Sequence, residues 1–259
     1  MLMNWKKQLL SRTLGALYRI PEKGLSKRYS IIIMFHSVSP YETSDAPSCY
    51  CSLDAFQQIL DYIKVQGYRF VSMDECLLSL ANGNYMGQCV ISFDDAMDNF
   101  YQYAYPVLKT RNIPFILYVP SAQLGSPRIM SQLEIADLSA DALCTIGSHT
   151  RNHVNCAQCA DLEAEIYGSK QDLEDLTGME IKHFSYPWGT IDDISWHTIQ
   201  TLKRAGYVSA AGTLSASLHF FSTMSRYYLP RINAGAYLHL LDMGVNDEQR
   251  TFLMEGSSC

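Results

Sequence analysis

Short apolar runs alternate along this chain with stretches whose apolar residues recur every three or four positions. The runs are Ser30-Ile31-Ile32-Ile33-Met34-Phe35, Cys89-Val90-Ile91-Ser92-Phe93 and Pro114-Phe115-Ile116-Leu117-Tyr118-Val119, with weaker ones at 70–71, 143–147, 183–186, 207–211 and 227–232. Continuous apolar runs of this length read as strands buried on both faces. Between them, Leu53, Phe56, Ile59, Leu60 and Ile63 fall on one helical face, with Ser52 as a cap and Gly67 as a stop. Further helices are predicted at 74–80, 98–110, 132–138, 161–176 (ending near Gly178) and 195–205, and a turn-rich loop at 37–51.

Strands alternating with helices predict a parallel sheet covered by helices, the α/β class. About seven strands in roughly 200 residues favour a small, incompletely closed barrel over a full eight-stranded one. The polar motifs lie at or just beyond the C-terminal ends of strands, where such sheets build their active sites. There is no internal repeat and no low-complexity segment.

Composition narrows the function. With 47% apolar and 18% charged residues the chain is expected to be soluble and globular, and its net charge of -6 argues against a nucleic-acid partner. Charge is uneven: residues 1–30 hold seven Lys/Arg against the single acid Glu22. On a helix, Met3, Leu10, Leu14 and Leu17 share a stripe opposite Asn4, Gln8, Ser11, Arg12 and Arg19. Residues 1–29 are therefore expected as a basic amphipathic segment ahead of a domain at 30–259. Residues 1–20 would either pack on the body of the protein or touch an anionic membrane surface. No run is long enough to span a membrane, and no export-type leader is legible, so the expected location is the cytoplasm or the inner face of its membrane. The eight Cys (49, 51, 76, 89, 144, 156, 159 and 259) are then expected reduced, with Cys76, Cys89 and Cys144 as core residues.

Two constellations carry chemistry. Asp94-Asp95 ends an apolar strand; alone, the pair reads as helix-capping acids. His149 and His153, four residues apart, suit chelation on one face of a turn. Together, Asp95, His149 and His153 make a three-ligand site for a divalent metal with positions left for water and substrate, and Asp94 is free to act as a base. A rival reading groups His149, His153, Cys156 and Cys159 as a structural zinc knuckle. His36, at the end of the first strand, reads equally as structural or catalytic. Tyr186-Pro187-Trp188-Gly189 is a turn by composition that could offer backbone N–H groups and an aromatic wall to a sugar. Arg231, in Leu229-Pro230-Arg231, reads either as a surface residue or as a partner for Asp94.

At these residues, from about Ile31 to Ile232, the chain resembles the polysaccharide deacetylases of the NodB-homology type (carbohydrate esterase family 4). It is nearest in pattern to bacterial exopolysaccharide and poly-N-acetylglucosamine deacetylases. Ser92-Phe93-Asp94-Asp95 is similar to that family's T/S-F-D-D motif, His149-Thr150-Arg151-Asn152-His153 to its H-S/T-x-x-x-H motif, and Ser185-Tyr186-Pro187-Trp188-Gly189 to its R-x-P-Y-G motif. The resemblance implies a distorted (β/α)7 barrel. It implies one divalent metal, zinc first with iron, nickel or cobalt as alternatives, held by Asp95, His149 and His153. Metal-bound water would attack the acetyl group of an N-acetylated sugar in a polysaccharide or lipid-linked glycan, with Asp94 as base and an N–H near Trp188 holding the oxyanion. Ser185 replaces the family's third-motif Arg, and Arg231 is the candidate substitute. The acid is assigned to His36, as in the poly-N-acetylglucosamine enzymes, ahead of His239. Ala96 stands where a Gly commonly follows the Asp pair. The alternatives are an inactive glycan-binding member of the same fold and an O-acetyl esterase.

Overall fold

The computed structural model describes residues 29–41, 50–219 and 226–235. Among the described residues ten strands run in chain order: β1 Ile31–Phe35, β2 Ser37–Ser39, β3 Tyr50–Ser52, β4 Arg69–Phe70, β5 Gln88–Phe93, β6 Phe115–Val119, β7 Cys144–Ser148, β8 His183–Ser185, β9 Ser209–Ala211 and β10 Ile232–Asn233. The α-helices among the described residues are α1 Leu53–Val65, α2 Met73–Ala81, α3 Tyr105–Thr110, α4 Gln132–Ser139, α5 Leu162–Thr177 and α6 Trp196–Arg204. Eight strands form one parallel sheet in the order β10-β1-β5-β6-β7-β8-β9, with β4 beside the start of β5. The last described stretch, 226–235, touches both edges. Leu229 bridges Ala211 of β9, and Ile232 pairs with Ile33 of β1. The sheet is thus curled into the (β/α) barrel expected from the alternation.

Alternation along each strand divides the core in two. Ile31, Ile33, Phe35, Ile91, Phe93, Phe115 and Leu117 join the larger cluster, packed under the helices. Ile32, Val90, Ile116 and Tyr118 point the other way and meet Ala211, Leu218 and Leu229 inside the curl. Helix α1 starts at the cap predicted for it. Ser52 accepts the Ala55 N–H, and Ser131 and Glu134 form a capping box on α4. Gly178, at φ 67°, closes α5.

Two elements differ from expectation. The stretch 37–51 is not all loop, since β2 and β3 pair in parallel over three residues each. Strands that short and polar leave no periodic signal. The helix expected at 98–110 opens as a π-helical turn, Phe100–Ala104, in which the Tyr105 N–H reaches back to Phe100 O. Pro106 has no N–H to continue a regular ladder, which is a reason for the wider turn. Cys76, Cys89 and Cys144 are buried free thiols, and burial, helped by the Glu75 charge, pushes Cys76 up to about 12. Among the described residues no helix is long and apolar enough to cross a membrane. The predicted N-terminal helix, His239, Cys49 and Cys259 lie outside the described residues.

Candidate active site

Strand register aims the two adjacent carboxylates at different partners. Asp94 continues the inward-facing series Val90, Ser92, and its N–H still bonds to Phe35 O (3.0 Å). The backbone then leaves the strand through two left-handed residues, Asp95 (φ 71°) and Ala96 (φ 52°). That turn brings Asp95 to the imidazoles that follow β7. His149 follows β7 directly, its N–H bonded to Val119 O (3.0 Å). Thr150 (φ 63°) and His153 (φ 55°) are left-handed too, which folds the short loop back so that both imidazoles face Asp95. Non-glycine residues in this region cost about 1–2 kcal/mol each, so surrounding contacts must hold them.

Asp95, His149 and His153 bring three donor atoms within 4.8 Å of one another. The Nε2 atoms of His149 and His153 lie 3.4 and 3.3 Å from Asp95 Oδ1. His149 Nδ1–H donates to Ser185 O (2.8 Å), which leaves the Nε2 lone pair facing the carboxylate. Asp95 Oδ1 is buried and has no hydrogen-bond partner among the described residues. Two imidazole nitrogens and a carboxylate oxygen converging on one point are a donor set that fits a divalent metal. Burial opposes the charge on Asp95, but the two imidazoles and His36 outweigh it and hold its pKa well below the carboxylate range. Burial likewise opposes charge on His149, and the Asp94 and Asp95 carboxylates with the Ser185 carbonyl raise its pKa on balance.

Asp94 is held from below. Arg231, fully buried, grips it with both ends: Nη1 to Oδ1 and Nη2 to Oδ2, each 2.7 Å. Ser185 Oγ donates to Asp94 Oδ2 (3.2 Å) and accepts from Arg231 Nη2 (2.8 Å). Arg231 Nε donates to Gly212 O (2.8 Å), and the guanidinium lies 5.5 Å from the Tyr118 ring centre. Burial pushes the Asp94 carboxyl up, but Arg231, then His149 and His36, bring it below its ordinary value. Tyr118 itself fits only because residue 147 is Gly, where a Cβ would lie 2.6 Å from the ring.

His36 and Trp188 complete the rim. His36 is half-buried and feels the charges of Asp94, Asp95, Arg231 and His149. Burial lowers its pKa more than the carboxylates raise it, and its imidazole makes no hydrogen bond among the described residues. The exposed Trp188 ring lies 4.8 Å from that of His153. Trp188 sits at φ 59°, and its N–H has no partner among the described residues. The turn is fixed by Thr213 Oγ1 donating to Trp188 O and Tyr228 Oη donating to Gly189 O.

Residues 86–210 match the family model described as polysaccharide deacetylase. These residues form a polysaccharide deacetylase domain of the NodB-homology type. The chain is 24% identical to YxkH of Bacillus subtilis over 180 residues, 68% of this chain and 61% of YxkH. It is 23% identical over 208 residues to the poly-beta-1,6-N-acetyl-D-glucosamine N-deacetylase of Staphylococcus aureus, covering 73% of this chain and 70% of that one. The fold is similar to that of BC0361, a polysaccharide deacetylase from Bacillus cereus (TM-score 0.70, 19% identity, 80% of this chain and 65% of that chain).

Within the deacetylase domain the zinc-knuckle grouping fails. Among the described residues, the one cluster of three or more His, Cys, Asp or Glu able to share an ion is Asp95, His149 and His153. Cys156 is buried away from it, with Sγ near Val154 O, and burial raises its pKa. A spacing of His-x3-His-x2-Cys-x2-Cys sets chain distance only; here the turn after His153 faces the Cys elsewhere. Sequence reasoning also passed over Ser185 as a contact of its own, reading it as a lost Arg, and over Glu165 and Asp172, which bond to the loop 150–153 or to Arg151. A legible signal existed for Glu165. It falls on the buried face of α5 with Leu162, Ile166, Ser169 and Leu173, where an acid needs a partner.

Proposed function

We propose that the deacetylase domain hydrolyses the acetamide of N-acetylated sugars in a glycan, with poly-β-1,6-N-acetylglucosamine the first substrate to try. The observation that carries this reading is the pairing of the Asp95–His149–His153 donor set with a neighbouring carboxylate, Asp94, clamped by Arg231. The similarity to the Staphylococcus aureus enzyme supports the choice of substrate.

A divalent ion held by Asp95, His149 and His153, zinc first, supplies Lewis-acid activation of water and of the acetyl carbonyl when bound. Asp94 takes the proton as water attacks. Its bonds to Arg231 and Ser185 keep it ionised and aimed while leaving oxygen lone pairs to accept. The N–H of Trp188 donates to the carbonyl oxygen as negative charge grows there. His36, uncommitted to any hydrogen bond among the described residues, carries the proton to the departing amine. Acetate and the free amino sugar leave. The exposed Trp188 ring beside His153 offers an apolar wall to a sugar face.

Acetate release should be measured from N-acetylated oligosaccharides, including β-1,6-linked glucosamine oligomers, with O-acetylated glycans in parallel. The parent should release acetate from amides, and Asp94→Asn should abolish turnover with metal content retained. Release from esters alone would replace this reading with an O-acetyl esterase. Tight glycan binding without any release would make the domain a binding module.

A further inference from the structure

The two histidines of the candidate metal centre are not held alike. His149 is fixed by its N–H to Val119 O and its Nδ1 to Ser185 O. His153 is partly exposed, and among the described residues its imidazole meets only Asp95 Oδ1 (3.3 Å) and the rings of His149 and Trp188. Its place is set by the loop that carries it, and that loop is gripped from two sides. On one side, the turn after β6 takes its carbonyls: Ser121 N–H donates to Thr150 O (3.2 Å), Ala122 N–H to Arg151 O (2.9 Å) and Gln123 Nε2 to Asn152 O (3.1 Å). On the other side lies α5. Glu165 Oε2 accepts the N–H groups of Arg151 and Asn152 (2.9 Å each), and Oε1 accepts Asn152 Nδ2 (2.7 Å). One turn on, Gly168 leaves room for the Arg151 side chain, since a Cβ there would lie 2.5 Å from Arg151 Cδ. Two turns on, Asp172 accepts from Arg151 Nε (2.8 Å) and Nη2 (3.3 Å) and from Ser121 Oγ (2.7 Å).

Residues 165, 168 and 172 are spaced to share one face of a helix. We propose that this face of α5 sets the geometry of the metal centre, with Glu165 and Asp172 as positioning residues that hold His153 opposite His149 and Asp95. The inference rests on the reading of those three residues as metal ligands. Glu165 is nine-tenths buried, and all the acceptor capacity described for it is spent on the loop rather than on α5 itself. A helix cap or a surface ion pair would need neither the burial nor the two adjacent backbone N–H groups. Without Glu165 those N–H groups lose their partner, the left-handed conformations at Thr150 and His153 lose a brace, and His153 is free to swing off the shared point.

The test is Co2+ titration of the metal-free full chain, reading affinity and the visible spectrum, for the parent, Glu165→Ala, Glu165→Gln, Arg151→Ala and Asp95→Ala, with thermal melting in chelator as the check on folding. Glu165→Ala should bind Co2+ about 10–100-fold more weakly with an altered spectrum. Glu165→Gln should stay close to the parent, because an amide oxygen can accept the same two backbone N–H groups while Asn152 reverses its side chain. Folded Glu165→Ala with parental affinity and spectrum overturns the proposal. If Glu165→Ala does not fold, Arg151→Ala decides: weaker binding supports the α5 anchor, and parental binding overturns it. Asp95→Ala separates the two levels. Loss of Co2+ there with parental binding in Glu165→Ala refutes only the anchor, whereas parental binding in Asp95→Ala refutes the metal centre itself.

Discussion

Replacing Arg231 with Met should reveal how much the buried clamp on Asp94 contributes. Met keeps much of the volume and removes every donor. Four hydrogen bonds go: two to Asp94 at 2.7 Å, one to Ser185 Oγ and one to Gly212 O. Asp94, 2% exposed, keeps only Ser185 Oγ at 3.2 Å among these partners. Removing one member of a buried pair costs about 3–5 kcal/mol, because the remaining charge stays desolvated. For a domain of this size that corresponds to a fall in Tm of roughly 6–20 °C. The sign of the pH dependence is fixed. In the parent the Asp94 carboxyl lies below its ordinary value, so the pair's stability is fully present above the unfolded pKa of about 3.9 and is lost as pH falls through the lower folded value. In Arg231→Met burial dominates and the Asp94 pKa rises. The stability gap is therefore widest near neutrality and narrows in acid. Urea denaturation of metal-free protein at pH 7 and pH 4 measures it. Adding Asp94→Leu to Arg231→Met should recover most of the loss, since it removes the stranded charge. Arg231→Met alone should lose at least about 100-fold in kcat/KM with metal retained, the lower range for a general base. A cost under about 1 kcal/mol at pH 7, or a double variant as unstable as the sum of its parts, would refute the clamp.

Three other outcomes are expected. Asp95→Ala should abolish tight metal binding, read by metal analysis after dialysis, because it removes the oxygen on which the two imidazoles converge, and parental metal content would refute Asp95 as a ligand. His36→Ala should lower kcat by about 10²–10⁴ with metal content unchanged, and an undiminished kcat would move the acid elsewhere. Cys159→Ala should leave bound metal at the parental level, since neither Cys156 nor Cys159 joins the donor cluster, and loss of metal would restore the knuckle reading.

Much of the site was legible along the chain because its donors sit where strands end. Asp94, Asp95 and His149 each follow a buried strand, and such strand ends gather at one rim of a parallel barrel. The helix caps at Ser52 and Ser131 and the αL stop at Gly178 are local as well, decided by residues within one turn. The choice between the Asp95 site and the Cys156–Cys159 knuckle was not local. It depends on which way the turn after His153 carries the chain, and that follows from the left-handed Thr150 and His153 and from the grip of Glu165. Asp94 and Arg231 are 137 residues apart, and no periodicity says that a guanidinium arriving at the end of the barrel will reach that carboxylate. Alternation within a strand fixes which face a residue takes. Sheet curvature fixes which faces meet, and only the closed curl brings Ser185 and Arg231 around one buried Asp94.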